Sequence, residues 1–137
     1  MEKIRVFIAD DSQVARNILI RMLNKEEYIE IVGEAGTAHS CVMMLDEVNP
    51  DIILLEAAIN GGVSVARLIR DIKDIKQYIK VILCVEVNAG SEIVQEAGHW
   101  ASDIIRKPYN KTNVLRAIRL ASGMQFMPDA GQGAPWS

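Results

Sequence analysis

The sequence predicts an α/β domain: a doubly wound parallel sheet with helices on both faces. Two observations lead there. Five short runs rich in Val and Ile recur along the 137 residues, too short for helices and mostly without polar alternation, as expected of strands buried on both faces. Longer amphipathic segments lie between and after them, and strict alternation of the two kinds implies parallel strands joined by crossovers. The length suits one domain, and a hydrophobic share of 50% suffices for one core of ordinary size.

Taken in order, residues 5–9 read as the first strand and 14–25 as the first helix. In that helix Val14, Ile18, Met22 and Leu23 share a face expected to be buried, with Arg16, Arg21 and Lys25 away from it. Ser12, just ahead, is a candidate N-cap. Residues 29–33 form the second strand and 39–48 the second helix, where Met43 and Met44 are expected to fill core space. Residues 52–55 form the third strand, followed by Gly61 and Gly62, read as turn residues rather than a phosphate cradle. The helix over 63–72, the strand over 81–85, the helix over 92–97, the strand over 104–105 and the helix over 112–121 complete the pattern. Residues 1–123 are therefore expected to form the domain. Residues 124–137, rich in Gly, Pro and polar residues, read as a disordered linker or tag-derived tail; the closing GAPWS resembles an affinity-tag scar.

Composition narrows the function classes. Fifteen Lys and Arg stand against 18 Asp and Glu, a net charge of −3, without the basic excess common in nucleic-acid-binding domains. Cys41 and Cys84 read as reduced core thiols, and no CxxC or Cys/His cluster points to zinc. His39 and His99 have no partner spacing. The opening MEKIRV carries no apolar signal segment, and no run approaches a membrane span, so a soluble, cytoplasmic protein is expected. No GxGxxG or P-loop pattern occurs.

In parallel α/β sheets, chemistry sits at the carboxyl ends of the strands. There the sequence places Asp10 and Asp11 after the first strand, Glu56 after the third, Val85 and Glu86 at the end of the fourth, and Lys107 with Pro108 after the fifth. The result is a rim of carboxylates facing one ammonium.

IRVFIADDSQVARNIL, PDIILLE and IIRKPYN together resemble the receiver domains of two-component response regulators. The resemblance covers roughly residues 3 to 123. It implies a flavodoxin-like sheet in strand order 2-1-3-4-5. It also implies that Asp10 and Asp11 take the positions of the acids that help hold Mg²⁺, that Glu56 stands in place of the phosphoacceptor aspartate, and that Lys107 is the lysine that pairs with the phosphoryl group. The hydroxyl that follows the phosphoryl group in the family falls at Val85, and the repositioned aromatic falls at Ile104. Ile59-Asn60 replaces the common Met-Pro, and Glu86 adds an acid where a small residue is usual. LRAIRLASGMQFMPD and IEIVGEAGTA resemble receivers that continue into a helix-turn-helix DNA-binding domain, none of which is expected within these 137 residues; methylesterase-linked receivers look similar over the second stretch.

A Glu carboxylate reaches about 1.3 Å farther than that of Asp, and phosphoryl transfer depends on positioning. The expected function is therefore an atypical receiver that signals, or regulates transcription, independently of aspartyl phosphorylation. Any Mg²⁺ site should be weak or vestigial, with no other cofactor. The expected partners are a second copy of the chain and protein partners or an effector domain, with DNA reached only through such a domain and no membrane. A conventional Mg²⁺-dependent receiver using Glu56, a small-ligand sensor and a small α/β enzyme on the acidic rim remain the alternatives. For partner contacts, Ile93, Val94, Val114, Ala117 and Leu120 are candidate apolar anchors, with Arg116 and Arg119 at their rim.

Overall fold

The computed structural model describes residues 2–59, 61 and 64–123. Among them, strands β1 (Ile4–Ala9), β2 (Ile29–Ala35), β3 (Ile52–Glu56), β4 (Lys80–Val85) and β5 (Asp103–Arg106) alternate with helices α1 (Gln13–Leu23), α2 (Ala38–Val48), α3 (Val65–Ile75), α4 (Ser91–Gly98) and α5 (Lys111–Ser122). The strands form one parallel sheet in the order β2-β1-β3-β4-β5. Class and strand order both match expectation. The expectations for residues 124–137, and for Asn60, Gly62 and Val63, lie outside the described residues.

Side-chain alternation divides the sheet into two cores. Phe7, Ala9, Ile53, Leu55, Val81, Leu83 and Val85 face α2, α3 and α4. Val6, Ile8, Ile52, Leu54, Ile82, Cys84 and Ile105 face α1 and α5. Each fully buried Leu or Ile contributes about 1.5–3 kcal/mol, so both cores hold the rim in place. Helix starts are set by side-chain caps. Ser12, Thr37, Ser64 and Asn110 accept from the backbone N–H three residues on, a bond whose loss costs about 1 kcal/mol. Asn49 and Gly123 end α2 and α5 in the left-handed conformation, at φ 58° and 83°.

Three packing expectations are corrected. Val14 and Ile18 are 69% and 48% exposed, whereas Leu19 and Leu23 are buried. Arg16 lies on the stripe with these two leucines at i, i+3, i+7. Its guanidinium donates to the Asp10 carbonyl at 2.6 Å and to Glu34 Oε1 at 2.7 Å. The buried face is an apolar one after all, made by Leu19 and Leu23 with Ile20 and Met22 beside them, and Arg16 lies along its edge with its head bonded inward. Met43 is exposed, while Met44 packs against the core. Val114 and Ala117, offered as partner anchors, are buried under α5, whereas Ile93 and Leu120 are exposed.

Candidate acidic rim site

Alternation along parallel strands assembles the rim. Asp10, Glu56, Glu86 and Lys107 each lie two residues beyond a member of the α1/α5-facing core: Ile8, Leu54, Cys84 and Ile105. Period-two geometry therefore sends all four toward the same side of the carboxyl edge. Asp10 and Glu56 are buried, at 1% and 3% exposure.

Lys107 is the hub. Its Nζ stands 2.5 Å from Glu56 Oε2, 3.3 Å from Asp10 Oδ2 and 3.6 Å from Glu86 Oε1. The contact with Glu56 is an ion pair of oblique geometry, so Oε2 is charge-compensated without a well-directed hydrogen bond. Burial alone would lower the lysine's pKa; the Glu56 carboxylate, followed by Asp10, outweighs it and holds the pKa above the ordinary lysine value. The other carboxylate oxygens are bonded to backbone: Asp10 Oδ1 accepts from Ser12 N–H at 2.8 Å, and Glu56 Oε1 from Ala58 N–H at 3.2 Å.

These bonds bear on Mg²⁺, which the family resemblance implies. A hard cation needs several carboxylate or carbonyl oxygens turned toward one point. Here all four oxygens of Asp10 and Glu56 already face the chain's own donors, and Asp11 is exposed. Among the described residues, no three Asp, Glu, His or Cys side chains are grouped to hold a metal. In this arrangement the residues do not fit Mg²⁺.

Val85 is fully buried against the α2/α3/α4 core, on the opposite side of the sheet from Glu56 and Lys107. Ile104 is partly buried on that same core. A Cβ on Gly98 would stand 2.8 Å from Ile104 Cδ1, so the isoleucine is closely covered by α4. Gly61 packs so near Ala38 that a Cβ there would collide with the alanine's; close approach explains this glycine better than turn flexibility. His39 and His99 are exposed, and Cys41 and Cys84 are free, buried thiols.

Two contributors were missed in the sequence. Arg16 holds the Asp10 carbonyl; its only signal was its heptad-like spacing to Leu19 and Leu23. Arg106 donates to the carbonyls of Glu86 and Val87, each at 3.3 Å. Its place next to Lys107 on a strand was a readable sign that it would point to the opposite face.

The model of the response regulator receiver domain family matches residues 6–119. A protein-glutamate methylesterase/protein-glutamine glutaminase of Caulobacter vibrioides is 30% identical over 86% of this chain, which spans 34% of that protein. A Trichodesmium erythraeum methylesterase is likewise matched over only 34% of its own length. The chemotaxis protein CheY of Halobacterium salinarum is 28% identical over 83% of this chain and 92% of its own. Among solved structures, the receiver domain of NarL from Mycobacterium tuberculosis superposes with a TM-score of 0.80 at 24% identity, covering 90% of this chain and 99% of that one.

Proposed function

Because the chain belongs to the response regulator receiver family, a family of two-component signalling, we propose that it is a receiver whose signalling does not run through aspartyl phosphorylation. The observation that carries this reading is the ion pair between Lys107 Nζ and Glu56 Oε2 at 2.5 Å. Glu56 brings its own charge to the ammonium that, in the family pattern, meets a phosphoryl group. The departures at Val85 and Ile104 support the same reading, since Val85 offers no hydroxyl to an incoming phosphoryl group. In this reading Asp10, Asp11 and Glu56 are the remains of a metal-dependent acidic pocket, Lys107 is the fixed counter-charge, and Val85 and Ile104 are switch positions without switch chemistry.

Lacking a chemical input, such a receiver must populate its signalling conformation by default or have it selected by a partner. We place it in the cytoplasm as a module that self-associates without phosphodonor and acts through protein partners or an effector domain. RcsB of Salmonella enterica, 18% identical, has been solved bound to promoter DNA; for this chain, DNA would be reached only through an effector domain joined to residues 1–123. No helix among the described residues is long and apolar enough to cross a membrane.

Incubation with a small-molecule phosphodonor and Mg²⁺, followed by intact mass measurement, tests the reading. The expected result is no added phosphoryl mass and an unchanged sedimentation coefficient with or without beryllofluoride. Stoichiometric phosphoryl incorporation on Glu56 would overturn it in favour of a conventional receiver.

A further inference from the structure

The outer face of α3 carries a charge palindrome. Arg67, Arg70, Asp71 and Asp74 fall within one stripe of the helix, opposite Leu68, Ile69 and Ile72, which enter the core. The four line a surface depression of about 390 Å³. Arg67 and Asp74 are equidistant from the midpoint between Arg70 and Asp71. A two-fold axis through that midpoint, with α3 antiparallel to its copy, sets Arg67 against the second copy's Asp74 and Arg70 against its Asp71. Every facing pair is then of opposite sign, the self-complementarity that a two-fold interface requires.

Within the described residues the stripe's carboxylates and guanidinium groups are not paired with each other or with other charges. Pairing along the helix at i, i+4 would place Arg before Asp, the weaker order against the helix dipole. An aromatic group lies beside them. Trp100, 46% exposed, holds the Arg70 guanidinium 5.6 Å from its ring centroid and packs edge-on against His99 at 5.5 Å and 89°. An exposed Trp beside Arg has the composition of an interface anchor. α3 packs between α2 and α4, and its outward stripe is open, with Arg67, Arg70 and Asp74 exposed.

We propose that two copies of this chain meet through α3, paired antiparallel about the midpoint of Arg70 and Asp71, with Trp100 packed at the centre. This rests on the self-association proposed above and gives it a surface. The contact is small and largely polar, so the dimer is weak, quickly exchanging and weakened by salt.

Charge reversal tests it. An acidic variant carries Arg67→Asp and Arg70→Asp; a basic variant carries Asp71→Arg and Asp74→Arg. Sedimentation equilibrium should show wild-type dimer at low salt and, for each variant alone, a dissociation constant higher by about tenfold or more. An equimolar mixture of the two should recover the dimer, which also shows that both variants are folded. Wild-type dimer with variants that dimerise equally well, or a mixture that stays monomeric, overturns the α3 surface and leaves the function reading standing. A dimer that forms only with beryllofluoride and is broken by the same variants overturns the phosphorylation-independent reading and leaves the α3 surface standing. A wild-type monomer under both conditions overturns the α3 surface and the self-association.

Discussion

Replacing Lys107 with Met removes the rim's central cation while keeping most of its stem volume. At an effective dielectric of about 20, unit charges at 2.5 Å attract by roughly 7 kcal/mol, and at 3.3 Å by roughly 5. Most of that attraction is offset by the cost of taking the charges out of water, so the net contribution of the cluster is far smaller. The variant exposes the other side of the ledger, because Asp10 and Glu56 stay buried without a counter-charge. Breaking such a cluster costs about 3–5 kcal/mol, a large part of an ordinary domain's 5–15. Urea unfolding at neutral pH should show that loss. Glu56→Gln, which leaves Lys107 paired to Asp10, should lose only about 1–2 kcal/mol. The double variant should lose less than the sum, by at least about 1 kcal/mol. Additive single variants would refute the account of Lys107 as counter-charge.

Glu56→Asp should draw the carboxylate back by about 1.3 Å, open the contact with Lys107 and raise Mg²⁺ affinity in calorimetry; phosphodonor-driven dimerisation in this variant would mean that Val85 and Ile104 matter little. Stability should fall as pH rises above 9, because burial pushes the Cys41 and Cys84 thiols from 9.0 up to about 12. The unfolded chain then releases protons that the folded chain retains, so stability is lost as pH rises through this window, by up to about 1.4 kcal/mol per pH unit for each thiol; Cys41→Ala with Cys84→Ala should remove most of the fall in urea midpoint between about pH 9 and 10, above which Tyr109 and Lys107, both held above their ordinary values, continue it. Gly98→Ala should change stability in thermal unfolding by less than about 1 kcal/mol, because the close contact is with the movable Cδ1 end of Ile104 and alanine gains helix propensity at the end of α4.

The central strands β1, β3 and β4 were legible because each is an apolar run buried on both faces, a pattern that hardly depends on what packs against it, and the half-exposed edge strands β2 and β5 because short Val/Ile runs mark them. β2 is the partial exception: its expected end at Gly33 fell short of Ala35, because Glu34 interrupts the apolar run while the backbone goes on pairing with β1. The rim was legible because parallel topology brings strand ends together, and the parity of Asp10, Glu56, Glu86 and Lys107 adds a common side. Contacts that depend on long side chains were not legible. Arg16 reached the Asp10 carbonyl, and Arg106 the β4–α4 loop, through guanidinium bonds that no periodicity records. Val114 and Ala117 failed as surface anchors for the opposite reason: apolar residues on an amphipathic helix are usually those that the core claims.

Arg106 and Lys107 give the rim a mechanical consequence. Consecutive residues at a strand end point to opposite faces, so the two cations take hold of the β4–α4 loop from different sides. Arg106 bonds the carbonyls of Glu86 and Val87, and Lys107 pairs with the Glu86 carboxylate. Moving a two-state loop from 1:99 to 99:1 requires about 5.5 kcal/mol of differential interaction. In the proposed reading no phosphoryl group supplies it, and Val85 has no hydroxyl to carry it. A partner would have to provide it through its own contacts, against the grip of both cations on the loop. Such a receiver therefore reports the presence of its partner, or of its second copy, by mass action rather than the state of a kinase.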